Sequence, residues 1–333
     1  MDVSSSVAQP PMPWLAPRWH ELVRLMDAGR LPHAVLLSGP RGLGKQSLAE
    51  ALIARALCAR PGETACGECH SCHMLASGYH PDLLRVAPEE GKRMIRIDPI
   101  RQVNGFVSQT AQQGGHRVIE IRPAEAMNVA ASNALLKSLE EPGQDTLFVL
   151  VSDMPSHLLP TIRSRCQQWT LKPPELEDCL DWLSKELGSE DEARFWFRAA
   201  GGLPLAARQL AEPGSRALRQ QLHETFDALV RGAEPVAEAA RLDRQAIDAI
   251  LWYGIAWLED LIRLGLSGEP EGLRNPDLAP LYRQAVKNGR VRDWFRLLDY
   301  AREQRRLLSE GGNPNPQLML EAWLVRWAAL LRS

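Results

Sequence analysis

The sequence of 333 residues lacks the features of a membrane or exported protein. It contains no apolar run of about 18 residues, which is the length that a membrane-spanning helix needs. Its first 13 residues are rich in Ser, Pro and Gln and lack a basic segment followed by an apolar core, so no secretion signal is expected. We therefore expect a soluble, cytoplasmic protein in which thiols stay reduced.

The chain also lacks an excess of positive charge. Its 39 Lys and Arg residues are balanced by 41 Asp and Glu residues, which gives a formal net charge of −2. This balance argues against a protein that coats nucleic acid with a generally basic surface, so any contact with DNA must come from a local patch. The length allows about two or three domains with sizeable cores.

One glycine-rich segment has the spacing of a phosphate-binding loop. Gly39, Gly42, Gly44 and Lys45 fit the pattern G-x-x-x-x-G-K, in which backbone N–H groups surround phosphate oxygens and the lysine adds a positive charge. The apolar run before the loop predicts a buried strand. The residues after it, 46–57, predict a helix whose N-terminus favours an anion.

The residues that make such a loop an ATPase are missing. Gln46 stands where Ser or Thr normally holds Mg²⁺, and its longer side chain is a poor substitute for a hydroxyl. The apolar strand at 117–121 ends in Arg122 and Pro123, not in the Asp and Glu that orient the metal and activate water. The sequence therefore predicts that this chain alone does not hydrolyse ATP, while the intact loop leaves binding of ATP or ADP without turnover open.

Four of the six cysteines lie close together, at Cys58, Cys66, Cys69 and Cys72. In a reducing compartment such a cluster points to a metal before a disulfide. The two-residue spacings let consecutive thiolates face one ion, and four sulfur ligands suit a structural, tetrahedral Zn²⁺ site. The alternatives are that His70 or His73 replaces one cysteine ligand, or that the cysteines have a redox role.

Strand and helix patterns alternate up to about residue 172, which is typical of a doubly wound parallel sheet. After the phosphate loop, the candidate strands are 82–86, 117–121, 146–152 and 169–171. Only helical patterns follow. We predict three domains: an α/β P-loop module with the cysteine loop in residues 1–172, a small helical unit in 173–212 and an all-α domain in 213–333.

Several motifs in this order resemble the clamp-loader branch of the AAA+ proteins, as found in bacterial DNA polymerase III. They are Leu31–Ala34, the phosphate loop, the cysteine cluster, Asn133–Pro142 and Ser164–Cys166. The motif-level resemblance covers about residues 14–172 and extends in outline over the helical remainder. It implies an AAA+ module, a small helical lid and a C-terminal helical collar that holds a five-subunit ring together.

The resemblance also implies a function, that of a non-hydrolysing stator in the DNA polymerase III holoenzyme. Arg165, in the Ser-Arg-Cys motif, would act as an arginine finger in the ATP site of a neighbouring subunit. The implied partners are the gamma/tau and delta subunits, the sliding clamp, and primed DNA through the assembly. The hydrolysing gamma/tau relatives carry an acidic pair where this chain has Arg122 and Pro123, and a lid arginine where it has Pro204.

Two other functions are left open by the residues. The chain could be a self-sufficient P-loop ATPase of the gamma/tau type, which phosphate release by the isolated protein would favour. It could also be a zinc-containing DNA-binding protein, which tight and salt-sensitive DNA binding would favour. The candidate DNA contacts are Lys92, Arg93, Arg96 and Arg101; solvated surface charge is the simpler interpretation of this patch.

Overall fold

The structure is a computed structural model that describes residues 9–113, 115–288, 290–309 and 314–331. The chain divides into two compact units. Unit 1 is Met1–Glu190 with Gly202–Ala206, and unit 2 is Asp191–Gly201 with Ala207–Ser333. Within the described residues, no helix combines the length and apolar character that crossing a membrane requires.

Unit 1 is built on a five-stranded parallel sheet. Its strands are β1 Ala34–Ser38, β2 Leu83–Val86, β3 Arg117–Ile121, β4 Thr146–Ser152 and β5 Gln167–Thr170. They are ordered β2-β3-β4-β1-β5, and every neighbouring pair is parallel. The three central strands are buried along their whole length, as expected when helices cover both faces of a parallel sheet.

The predicted parallel sheet is confirmed, and β3 and β4 have the predicted bounds. The last strand begins at Gln167, two residues earlier than the sequence suggested. This edge strand pairs with β1 and buries only Trp169 of its side chains, so its hydrophobic pattern gave a weak signal.

The described part of unit 1 contains the helices α1 Ala16–Asp27, α2 Lys45–Leu57, α3 His70–Ala76, α4 Ile97–Val107, α5 Val129–Glu140, α6 Pro160–Arg163 and α7 Leu180–Leu187. The helix α4 ends at Val107. The backbone N–H groups of Gln112 and Gln113 instead donate to the buried carboxylate of Asp82 at 2.8 and 2.9 Å. This contact with a distant residue replaces the last helical turn.

The remaining helices are α8 Glu190–Ala199, α9 Pro204–Leu210, α10 Pro213–Val230, α11 Pro235–Arg241, α12 Ile247–Ser267, α13 Ala279–Asn288, α14 Val291–Ser309 and α15 Pro316–Leu331. In unit 2, Phe226 packs against Trp257, Trp323 and Trp327, with ring centroids 5.3, 5.5 and 4.5 Å away. A Cβ at Gly254 would lie 2.0 Å from the Trp323 ring, so this helical position needs glycine. The predicted all-α C-terminal region is confirmed.

Candidate functional site

The glycine-rich loop that is predicted to bind phosphate connects the carboxyl end of β1 to α2. Gly39, Gly42 and Gly44 have φ angles of +143°, +97° and +88°, a region that residues with a Cβ rarely adopt. The loop also has close neighbours in unit 1, because Leu205 N–H donates to the Gly42 carbonyl at 3.0 Å. The indole N–H of Trp14 donates to the Leu43 carbonyl at 2.8 Å. The loop is therefore folded and fixed by its own chain.

Lys45 is buried, and the protein supplies an acceptor for each of its three N–H donors. Its Nζ donates to the carbonyl oxygens of Gly39 and Pro40 at 2.6 and 2.7 Å. It also pairs with Asp153 Oδ1 at 2.6 Å. A phosphate could bind this ammonium group only by displacing one of these oxygens.

Asp153 is not among the candidate site residues that the sequence predicts. The signal that points to it is the strand order. Asp153 directly follows β4, which lies beside β1, so both carboxyl ends open at the same edge of the sheet. This placement brings the carboxylate next to the loop lysine.

Arg122 lies at the end of β3 among carboxylates that neutralise it. Glu120 is only 2% exposed, and its oxygens lie 3.1 Å from Arg85 Nε and 3.6 Å from Arg122 Nη1. Arg122 Nη1 is also 3.9 Å from Glu50 Oε1. Burial raises the pKa of Glu120, and the negative charge of Glu50 raises it further. The end of β3 therefore carries a guanidinium and the imino acid Pro123, neither of which can ligate Mg²⁺.

Replacement of Glu120 by glutamine is expected to stabilise the protein at neutral pH. Because the folded pKa of Glu120 is raised above its ordinary value of 4.5, this group favours folding at acid pH, and that contribution is lost as the pH rises through the folded pKa. Its partners Arg85 and Arg122 are 46% and 34% exposed, so water can solvate them in the variant. We therefore expect a higher unfolding midpoint for the variant than for wild type at neutral pH.

Thermal unfolding at about pH 8 and about pH 5 measures this effect, and the gain should shrink at the lower pH. The exposed Glu90→Gln is the matched control, and its midpoint should stay at the wild-type value. A lower midpoint for Glu120→Gln at the higher pH would contradict the prediction.

Arg165 follows α6 and lies at the surface of unit 1 beside the C-terminal end of α5. Its side chain is 33% exposed. Nη1 donates to the Thr161 carbonyl at 3.0 Å, and Nη2 forms a short ion pair with Glu140 Oε1. The arginine is therefore accessible while its guanidinium is held by two acceptors of its own chain.

The cysteine cluster comes together in the structure. The four sulfur atoms of Cys58, Cys66, Cys69 and Cys72 lie within 4.8 Å of one another. Cys58 follows α2, whereas Cys72 lies inside the short helix α3. This helix is difficult to predict from the sequence, because its seven residues are too few for a clear periodicity.

The donor set fits a tetrahedral Zn²⁺ ion. A Zn–S distance of about 2.3 Å corresponds to sulfur atoms about 3.8 Å apart. The Cys58–Cys69 and Cys66–Cys72 sulfur distances are 3.9 and 4.0 Å. Backbone N–H groups also point at sulfur, which favours the thiolate form that binds metal. His70 and His73 are exposed and lie outside this cluster.

A buried chain of polar groups joins the cysteine cluster to the sheet. His80 Nδ1 accepts from the backbone N–H of Asp82 at 3.1 Å, so we assign the proton to Nε2. Nε2 then donates to Ser71 Oγ at 2.7 Å, and the Ser71 hydroxyl donates to the Leu57 carbonyl. Burial lowers the pKa of His80, in agreement with a neutral ring. His80 is not among the candidate residues that the sequence predicts.

The basic patch is exposed at all four positions, Lys92, Arg93, Arg96 and Arg101. Arg101 pairs with Asp98 at 3.0 Å on the first turn of α4. This helix begins at Ile97. Contact of this patch with DNA stays a prediction.

The comparisons with known proteins agree along the chain. Residues 16–175 match the family described as DNA polymerase III, delta subunit, and residues 214–329 match the family of its C-terminal part. The DNA polymerase III subunit delta' of Pseudomonas aeruginosa is 39% identical over 96% of this chain and 97% of the relative. The protein of the same name from Yersinia pestis is 33% identical over 96% of each chain.

Among solved structures, a DNA polymerase III gamma subunit-related protein from Thermotoga maritima is similar over 94% of this chain and 99% of that one, with 17% identity and a TM-score of 0.44. The two delta' relatives cover nearly the whole length of this chain at more than 30% identity. The chain therefore belongs to the family of DNA polymerase III delta' subunits.

Proposed function

We propose that this chain is a stator of the DNA polymerase III clamp loader, a subunit that completes the ring and does not hydrolyse ATP. Its partners are the gamma/tau and delta subunits, and the assembly places the sliding clamp on primed DNA. In this proposal residues 173–212 are the lid and residues 213–333 the collar that joins the ring. Family membership supports the complex, and the site residues support the role within it.

One observation supports the proposal that the chain does not hydrolyse ATP: acidic side chains of the chain already neutralise the positive charges of the proposed nucleotide site. Lys45 is paired with Asp153, and Arg122 lies near Glu120 and Glu50. Phosphoryl transfer needs cations that face the phosphates and acids that hold Mg²⁺ and orient water. Here an arginine stands where the first acid is needed, and the lysine faces protein oxygens.

Arg165 is the residue that serves a neighbour. Its guanidinium lies at the surface of unit 1, and its planar set of donors can bind phosphate oxygens. A guanidinium supplied in trans stabilises the charge that develops on the transferred phosphoryl group. The cysteine cluster has a structural role in this proposal, with Zn²⁺ as the metal that its four thiolates bind.

Reconstitution tests the proposal. The isolated chain, with ATP and primed DNA, is expected to release phosphate at background rate. The complex that contains it is expected to hydrolyse ATP much faster than the same mixture without it. Turnover by the isolated chain that Lys45→Ala abolishes would refute the proposal and favour the self-sufficient ATPase.

Replacement of Asp153 by asparagine is expected to improve nucleotide binding by the isolated chain. The variant loses the carboxylate that neutralises Lys45, so the ammonium can turn to a phosphate. A charge-assisted hydrogen bond contributes about 1.5 kcal/mol, which corresponds to about a tenfold tighter dissociation constant. Fluorescence anisotropy of a labelled ADP measures the change.

The double variant Asp153→Asn/Lys45→Met is the control, because it lacks the ammonium group that is expected to bind the phosphate. It should bind no better than wild type. Equal affinities of wild type and Asp153→Asn would contradict the idea that the carboxylate competes with nucleotide.

A further inference from the structure

We propose that Glu140 is a positioning residue for Arg165: it holds the guanidinium at the surface of unit 1, ready for a neighbouring subunit's nucleotide. This inference rests on the proposed function, in which Arg165 acts in trans. Glu140 would not touch the nucleotide itself. It would act only through the arginine.

The contacts of Arg165 fix the plane of its guanidinium. Glu140 Oε1 pairs with Nη2, and the Thr161 carbonyl accepts from Nη1 at 3.0 Å. Two acceptors on two different nitrogens leave little freedom for the group to rotate. A guanidinium has five N–H donors, so about three stay available for phosphate oxygens after these two contacts.

The backbone on both sides of this pair is held by a common core. Leu139 next to Glu140, and Ile162 and Cys166 near Arg165, are all buried in one hydrophobic cluster of unit 1. The two charged side chains therefore project from fixed points at the rim of that cluster. Their geometry is set by packing before any neighbour arrives.

Helix stability does not explain a glutamate at position 140. Glu140 is the last residue of α5, where the helix dipole disfavours a negative charge. The side chains of Glu140 and Arg165 are 49% and 33% exposed, and ion pairs exposed to this degree add little to folding. Glu141 has the same charge and is exposed, and the described residues give its carboxylate no ion pair. Holding Arg165 is the role that distinguishes Glu140 from its neighbour.

A pre-positioned arginine speeds the reaction because its ordering does not have to occur during turnover. A free arginine side chain loses considerable rotamer freedom when it is fixed on a ligand. When Glu140 already holds the guanidinium, less conformational entropy is lost as the arginine binds the reacting phosphate. Because the pair is partly exposed, we expect a moderate effect, about a three- to tenfold fall in kcat when Glu140 is replaced.

The experiment compares assembled complexes that contain wild type, Glu140→Ala, Glu140→Gln, Arg165→Ala or Glu140→Ala/Arg165→Ala, with Glu141→Ala as the matched control. We expect Glu140→Ala to lower kcat, Glu140→Gln to lie between it and wild type, and Glu141→Ala to match wild type. The double variant should turn over at the rate of Arg165→Ala alone, since Glu140 acts only through the arginine.

A merely structural role of Glu140 would give a further fall in the double variant, and that result overturns the inference. A Glu140→Ala rate equal to or above wild type also overturns it, because the carboxylate would then be idle or would hold the arginine back. If Glu140→Ala shows no cooperative thermal unfolding transition and is therefore not folded, the nearly isosteric Glu140→Gln replaces it in the comparison of kcat values. An unchanged ATPase rate with Arg165→Ala refutes the proposed function as well. If only the Glu140 variants differ from expectation, the proposed function of Arg165 is not affected.

Discussion

Replacement of Arg165 by alanine is expected to lower the ATPase rate of the assembled complex by at least about tenfold, while the isolated chain folds normally. Arginine fingers supplied in trans are worth about 10³ to 10⁵ in rate at the site they serve. The complex has other ATP sites in this proposal, so the fall in its total rate is smaller than the fall at one site. Steady-state phosphate release with primed DNA and clamp measures it.

Arg165→Lys is the informative companion variant. Lysine keeps the positive charge but loses the planar fork of donors, so we expect it to recover only a small part of the rate. Thermal unfolding of the isolated variants checks that the fold survives, because the side chain is partly exposed and its ion pair adds little stability. A complex that contains Arg165→Ala and hydrolyses ATP at the wild-type rate would remove the central role assigned to this residue.

Removal of metal from the cysteine cluster is expected to produce the largest loss of stability. The segment between α2 and α3 has few apolar residues of its own, and bound Zn²⁺ contributes about 10 kcal/mol or more to the folding of small zinc modules. In this chain Ser71 and His80 also anchor the segment, so we expect a smaller cost of several kcal/mol. Metal content, and thermal unfolding with and without a chelator, measure it.

The cysteines outside the cluster supply the controls for the metal. Cys72→Ser should lose the metal and lower the unfolding midpoint, whereas Cys179→Ser should keep bound metal because Cys179 lies outside the cluster. His70→Ala and His73→Ala should also keep it, and the cobalt-substituted protein should show the absorption of a four-thiolate site. Purified protein with no metal, or a chelator without effect on the midpoint, would contradict the assignment.

Features that depend on neighbouring residues in the chain were predictable from the sequence. The glycines around Lys45 have a fixed spacing, and the cysteines lie within a short segment. The central strands were equally clear, because β3 and β4 are buried on both faces and read as continuous apolar runs. The edge strand β5 and the short helix α3 were harder, since few of their side chains carry a periodic signal.

The sequence by itself thus determined the central strands, the loop spacing, the cysteine set and the replacement of the expected acidic pair by Arg122 and Pro123. Only the tertiary structure decided how the charges are paired. Asp153 reaches Lys45 because β4 lies beside β1, and Glu140 reaches Arg165 because α5 and α6 share one core. Strand order and helix packing join residues far apart in the chain, and hydrophobic periodicity carries no information about such pairs.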